Sequence, residues 1–504
     1  MAGAASAVMP YSCHLTDAGR SGPTVFRFCL YLLVTLQDGV SLMATCESPA
    51  ASGHSSSQAS LLHAYWPDTA KYLVLTGYFL VLSAAYFLVG SRGLFNLQMY
   101  AFQFDVERCI LAVAFLCLVA FALPSRTNKV SDYFLWLHAA VPIVPTLVFF
   151  AFSGGSIPFL GLAIGAFIGI RLLTLPGAIL AIPGVSTSSP ERAVWIGIFI
   201  LYVLIIAGGD YSSIDFSPEN IYLNRAQIAE SQSSYFEYLH TNLAKGLLPF
   251  LLVFYYARSR WFPFLATLIC SLGVFLVSQH RAALFFPLLA LLCFAATRRS
   301  KRAGGGSLVA MLTVVLTIGM IFTLSDMTLL LGDIIIRRTF IVPAALNFEY
   351  FSFFNNNPFT LFSDSKLSFG LLSRVYQEQI PYLIGYQIGL PGAHANSSYL
   401  GSGYQQAGVV GVLLYVLVIS ATLRVLDGIG NRMNNHCFVF AVCSPSLFWL
   451  IDSSDLPSVY LTHGLILATA ILWYWAGYLR LYFAGLDSTS ETPKTRPINP
   501  PAAR

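Results

Sequence analysis

The sequence predicts an all-α polytopic membrane protein with about twelve transmembrane helices and two large periplasmic loops carrying short amphipathic helices. Three observations predict it. Of the 504 residues, 56% are hydrophobic and only 10% charged, too few polar groups to coat a water-soluble body. The mean hydropathy is +0.68. Apolar runs of bilayer length recur along the chain, separated by short polar turns.

Taken in order, residues 1–70 read as an N-terminal extension with one marginal helix. The stretch 23–46 is apolar but broken at Gln37, Asp38 and Gly39, and no basic region leads it as in a signal peptide. The transmembrane domain covers residues 71–485. With roughly 20 apolar residues per crossing, spans are expected near 71–90, 108–124, 133–152, 157–182, 193–208, 244–257, 262–278, 282–297, 307–331, 408–424, 437–451 and 463–483. Residues 486–504 form a tail.

Orientation follows from Lys and Arg in short loops, which resist translocation. The run Arg298, Arg299, Lys301, Arg302 fixes its loop inside. Alternation then puts Arg126 with Lys129, Arg258 with Arg260, Arg424 with Arg432, and Lys494, Arg496 and Arg504 on the same face. Two polar segments, 209–243 and 332–407, come out on the other side as the large loops. Both are rich in Tyr, Phe and Asn, unlike disordered linkers. They are expected to fold back onto the bundle and wall a cavity at the membrane surface.

A net charge of +5 with basic residues in short clusters reads as topology and not as a nucleic-acid footprint. The nine cysteines form no CxxC pair, so neither a zinc site nor a disulfide framework is expected. No Asp-x-Asp, Walker loop or dinucleotide-binding glycine pattern is present, which argues against nucleotide-sugar and ATP chemistry; no metal or cofactor is expected.

Four arginines stand out on the non-cytoplasmic side: Arg225, Arg281, Arg337 and Arg338. A guanidinium stays charged and its planar fork matches phosphate oxygens, so arginines from separate elements at one membrane face suit a lipid-linked pyrophosphate. Headgroup contact and snorkelling are the ordinary alternatives. Arg281 resists them best, because its turn between two apolar spans is too short to leave the interface. For sugars, the candidates are Tyr222, Tyr350, Phe351, Asn355, Asn356, Asn396, Tyr399 and Tyr404, which offer ring faces for pyranoses and groups to bond hydroxyls. An interfacial aromatic belt is their ordinary reading. Glu349 and His394, with Glu219 and Glu237 behind them, are the candidates to take or orient an acceptor proton; each also reads as an ordinary loop residue.

Four blocks in this order, NIYLNRAQ, LVSQHRAALFFPLLALL, RRTFIVPAALNFEYFSFFNNNP and PGAHANSSYLGSGYQQAGVVGVLLYVL, resemble the bacterial oligosaccharide repeat-unit polymerases, the Wzy-type O-antigen polymerases. The last two blocks are the most specific. The N-terminal half shares only hydropathy with that family, residues 1–70 are an extension it does not normally have, and His394 and Ser397 fall where such sequences vary. The resemblance implies a multi-pass enzyme of the bacterial inner membrane, a glycosyltransferase making O-antigen or exopolysaccharide. It would move a growing glycan from undecaprenyl pyrophosphate onto the next lipid-linked repeat unit at the periplasmic face. Arg225, Arg281 and Arg338 would bind the pyrophosphate, with Arg337 assisting and Arg281 also stabilising the leaving charge. Partners would be undecaprenyl-pyrophosphate-linked oligosaccharides and membrane lipids, with a flippase and a chain-length regulator in the same pathway. A lipid-linked oligosaccharide flippase or transporter and an O-antigen ligase are the alternatives. Against transport stand the lack of an internal repeat and the placing of charges at span ends.

Overall fold

A computed structural model describes residues 56–91, 102–178, 188–208, 234–278, 282–298, 304–324, 333–365, 368 and 370–490. The described residues contain helices and no strand, as expected where lipid cannot satisfy an open backbone. In chain order they are α1 (Ser56–Ser91), α2 (Val106–Ala122), α3 (Val130–Ser153), α4 (Ile157–Thr174), α5 (Glu191–Gly208), α6 (234–257), α7 (Trp261–Ser278) and α8 (Ala282–Arg298). Then follow α9 (Gly304–Leu324), α10 (333–356), α11 (Ile380–Gln387), α12 (Tyr399–Met433), α13 (His436–Asp452), α14 (Leu456–Leu461), α15 (Leu465–Tyr474) and α16 (Ala476–Ser490).

This is an all-α membrane protein. Five helices are long and apolar enough to cross a bilayer, and a sixth span results if α15 and the start of α16, bent by 64°, count together. The hydropathy pattern predicts about twelve. Several of the expected spans are shorter apolar helices, among them Trp261–Leu276, Ala283–Arg298 and His436–Asp452. Helix α1 begins at Ser56, upstream of the expected start near residue 71.

The apolar pattern decides which helix lies in the middle. Helix α3 is hydrophobic on every side, and all residues from Val130 to Ala151 are buried. Around it, α2, α5, α7, α9 and α12 turn large apolar side chains outward: Phe121, Phe199, Phe262, Ile269, Ile321 and Leu417 are all exposed. Such an apolar outer surface is stable only against lipid.

Three long helical stretches switch to a π-helical register just before a proline. The wide turns are Ala139–Ile143, Leu243–Leu247 and Asp333–Ile341, and they lead into Pro145, Pro249 and Pro343. Proline lacks an N–H and its ring clashes with the carbonyl four residues back; widening the turn relieves the clash without ending the helix.

Basic residues gather at one end of the bundle. Lys71 donates to the carbonyl oxygens of Phe121 and Leu123 at 3.3 and 3.1 Å. The Trp136 indole donates to the Pro124 carbonyl, and Arg171 pairs with Asp132. Arg424 donates to the Gly177 carbonyl at 2.8 Å. Tyr133, Cys437 and the Thr297 carbonyl then connect this cluster to Arg298, which lies over the Tyr256 ring, and Arg258 and Arg260 both pair with Glu191. Asp427, fully buried here, accepts from the Ser131 N–H at 2.9 Å and the Ser131 hydroxyl at 2.7 Å. Asp427→Ala strands both donors in a dry interior and is expected to destabilise the protein by about 2 kcal/mol, read by thermal unfolding in detergent.

The opposite end is built differently. Within segment 332–407, expected at the membrane surface, α10 and residues 395–406 are largely buried in the bundle, while 370–379 and 386–394 are mostly exposed. Phe340 of α10 meets Tyr78 at 6.4 Å, and the Tyr78 hydroxyl donates to Ala140 at the middle of α3. Helix α12 is two limbs. Its first limb starts at Tyr399, against His138 of α3, and the backbone breaks at Ala407 and Gly408. The second limb runs back alongside the first, with Gly403 packed on Gly411, Val412 and Tyr415. Residues 399–416 therefore form a re-entrant hairpin. Its two strands of helix touch backbone to backbone because Gly403 and Gly411 carry no Cβ.

Candidate functional site at the end opposite the basic cluster

The re-entrant hairpin is held by α10, and both carry the residues singled out from sequence. The Tyr350 hydroxyl donates to the Ala395 carbonyl at 2.9 Å. Ser398 donates to Asn347 Oδ1 at 2.9 Å. Phe351 and Tyr404 pack ring to ring at 4.6 Å, and Phe359 meets Tyr404 at 5.8 Å. Thr360 donates to Gln406 Oε1 at 2.7 Å, anchoring the loop after α10 to the hairpin tip. The segments RRTFIVPAALNFEYFSFFNNNP and PGAHANSSYLGSGYQQAGVVG, separated by the loop and α11, thus fold as one unit.

That unit separates the sequence candidates into two groups. Tyr350 and Tyr399 are fully buried, with hydroxyls engaged by Ala395 and by His138 Nε2 at 3.0 Å; Tyr404 is nearly buried between rings. Inward-facing rings that satisfy their hydroxyls inside the protein act as scaffold, the arrangement of Tyr350 and Tyr399. The reason is the re-entrant path, which turns a segment expected at the surface into core. Asn355 and Asn356 are exposed, Asn396 and Phe351 partly buried, and His394 is exposed with its ring edge-on to Tyr382 at 5.0 Å. Glu349 is half-buried on α10, and burial raises its carboxyl above the usual range. Arg337 is half-buried and Arg338 exposed, at the start of the same helix. Arg338 precedes Glu349 by about 16 Å along the axis at ~1.5 Å per residue. Arg225, Arg281, Tyr222 and Glu219 lie outside the described residues, and Glu237 falls on α6.

A second group of candidate residues escaped the sequence reading. The four-residue junction Asp452-Ser453-Ser454-Asp455 joins α13 to α14 and ends beside the hairpin. Asp455 accepts a 2.7 Å hydrogen bond from Tyr415 and stands beside Ser402; burial raises its carboxyl, and the two hydroxyls lower it. Asp452 is 5% exposed. Its Oδ2 accepts from the Ser453 hydroxyl at 2.9 Å, while Oδ1 has no hydrogen-bond partner.

One turn before Asp452, the Trp449 ring carries the Lys245 ammonium of α6 at 4.6 Å. The same ammonium lies 5.2 Å from the Phe286 ring of α8, and His463 meets Trp449 edge-on at 6.3 Å. Lys245 sits in the π-helical turn of α6, against the Gly464 turn that opens α15. A cation held over ring faces inside a bundle marks a functional position by default. Arg281 directly precedes α8, two residues before Ala283 and five before Phe286. The only sequence signals were a lysine at the edge of an apolar run and a pair of acids three residues apart between two such runs.

Comparison with protein-family models, curated proteins and solved structures finds no match to this chain.

Proposed function

We propose that this chain is a membrane glycosyltransferase joining undecaprenyl-pyrophosphate-linked oligosaccharide repeat units into a longer glycan, at the periplasmic face of a bacterial inner membrane. One observation carries the reading. The two sequence blocks that most resemble the repeat-unit polymerases pack together through Asn347–Ser398, Tyr350–Ala395 and Phe351–Tyr404, beside a junction with two acids. This end is the one away from the basic cluster, as an exported site would be. In this reading the diphosphate of the donor lies against Arg225, Arg281 and Arg338, with Arg337 assisting. Fixed cations in a low-dielectric interface stabilise charge on a departing diphosphate without reorganising. Asn355, Asn356 and Asn396 remain for sugar hydroxyls, and Trp449 offers a ring face.

A transporter of lipid-linked oligosaccharides is the second reading. It is favoured by the helix break at Ala407–Gly408, the 64° bend before α16 and the buried His138 in the middle of α3, features that transporters place at their substrate sites. The break and the interior cations differ from the expectation of charges at span ends alone.

Deleting the gene separates the two. The polymerase reading expects surface glycan capped at a single repeat unit, analysed by gel electrophoresis of the extracted polysaccharide. Long laddered chains in the deletion strain would reject it, and single units trapped on the cytoplasmic face would favour transport.

A further inference from the structure

We infer that Asp452 is the catalytic base of the transfer, the carboxylate that takes the proton of the acceptor sugar hydroxyl; this rests on the polymerase reading above. Its geometry differs from that of the other acids at this end. Asp455 is committed to Tyr415 and Ser402; Asp364 faces Arg374 at 3.9 Å and also has an unbonded oxygen, Oδ2, but its side chain is 17% exposed. Glu349 is partly exposed on the flank of α10. Asp452 alone among these pairs near-complete burial with an oxygen, Oδ1, that no protein group bonds. A buried oxygen without a partner is costly, and native proteins keep such groups where a ligand completes them.

Position adds a second argument. Asp452 ends α13, where the helix dipole is negative and disfavours a carboxylate, so gaining a proton relieves the site. Ser453 and Asp455 are partly exposed, so the junction lies at the surface of the bundle with Asp452 one step inside. Trp449, three residues earlier on the same helix face, is partly exposed and is a ring of the kind against which pyranoses pack. A sugar stacked there carries its hydroxyls to within about one helical turn, ~5 Å, of Asp452. Lys245 over that ring places a positive charge beside the same helix turn.

The step balances as follows. The acceptor O–H bond breaks and its proton goes to Asp452 Oδ1. The freed oxygen pair forms the bond to the anomeric carbon of the donor glycan. The bond from that carbon to the diphosphate oxygen breaks, and its electron pair leaves with undecaprenyl diphosphate. The charged and titratable groups around Asp452 are Lys245 from α6, His463 from the turn before α15, and Asp455 on its own junction. As the base, Asp452 makes the rate rise with pH until it is deprotonated.

The test uses the full chain, purified and reconstituted in liposomes, with lipid-linked repeat units extracted from cells lacking it. Asp452→Asn keeps the shape and removes the base. It is expected to lower chain extension by about 10²–10⁴-fold, to lose the rising limb of the pH–rate profile, and to bind undecaprenyl diphosphate within about threefold of wild type. Asp452→Glu is expected to recover part of the rate together with the rising limb, which a purely structural role would not produce. Wild-type extension with Asp452→Asn within about threefold of it and an unchanged pH profile would overturn the assignment alone. A wild-type protein that extends nothing would overturn the polymerase reading and the base with it.

Discussion

Replacing Arg281 or Arg338 with alanine is expected to cut chain extension by about 10²–10³-fold, the loss typical of removing one donor to a developing oxyanion. The amount of Arg338→Ala protein in the membrane should stay unchanged, because Arg338 is exposed. Lysine at either position keeps the charge but loses the planar fork, so it should restore less than full activity. Quantitative blotting of membranes alongside glycan length analysis separates lost chemistry from lost protein. Full activity in both alanine variants would remove arginine binding of diphosphate from the account.

Gly411→Ala is the second large effect, and it acts through the fold. A methyl group at Gly411 would overlap the carbonyl oxygen of Gly403 and lie 3.5 Å from the Ala407 Cβ. The obstacle is backbone, which cannot swing aside as a flexible side chain would. The two limbs must separate, pulling Tyr399 from His138 and Tyr415 from Asp455. Overpacking of this kind costs about 3 kcal/mol, and both extension activity and thermal stability should fall together. Gly161→Ala on α4 is the matched control, since nothing lies within 4 Å of the place its methyl would take and stability should hold.

Much of the helical scaffold was legible in hydropathy because lipid enforces it. An apolar run in a bilayer must be a helix; α3 lies close to its expected range, and α4 and α9 begin close to theirs. The basic end was legible for a similar reason, since Lys and Arg mark loop ends wherever they fall. The hairpin was not. The second limb of α12 begins where the apolar run begins, but Tyr399–Gln406 is polar enough to read as loop and is in fact helix running the other way. What permits the reversal is Gly403, Gly408 with φ +61° and Gly411, a spacing visible in GSGYQQAGVVG but without period. The same reversal buried Tyr350 and Tyr399, whose composition had suggested a surface site.

Candidate chemistry was legible only in part. Arginines and asparagines announce themselves in an apolar chain, whereas Asp452 and Asp455 sit where a span ends and carboxylates normally meet water. Their placement follows α14 and the Gly464 turn folding back against α6, a tertiary event with no local pattern. Lys245 was hidden differently. It falls at the boundary of an apolar run, and only the rings of Trp449 and Phe286, brought from two other helices, distinguish it from a snorkelling lysine.

The most direct measurement of the central claim is the fate of lipid-linked single repeat units given to the purified full chain in sealed liposomes with no other enzyme. The account predicts glycans of two or more repeat units with matching release of undecaprenyl diphosphate. Single units that remain unjoined, or that cross the bilayer without being joined, would contradict it.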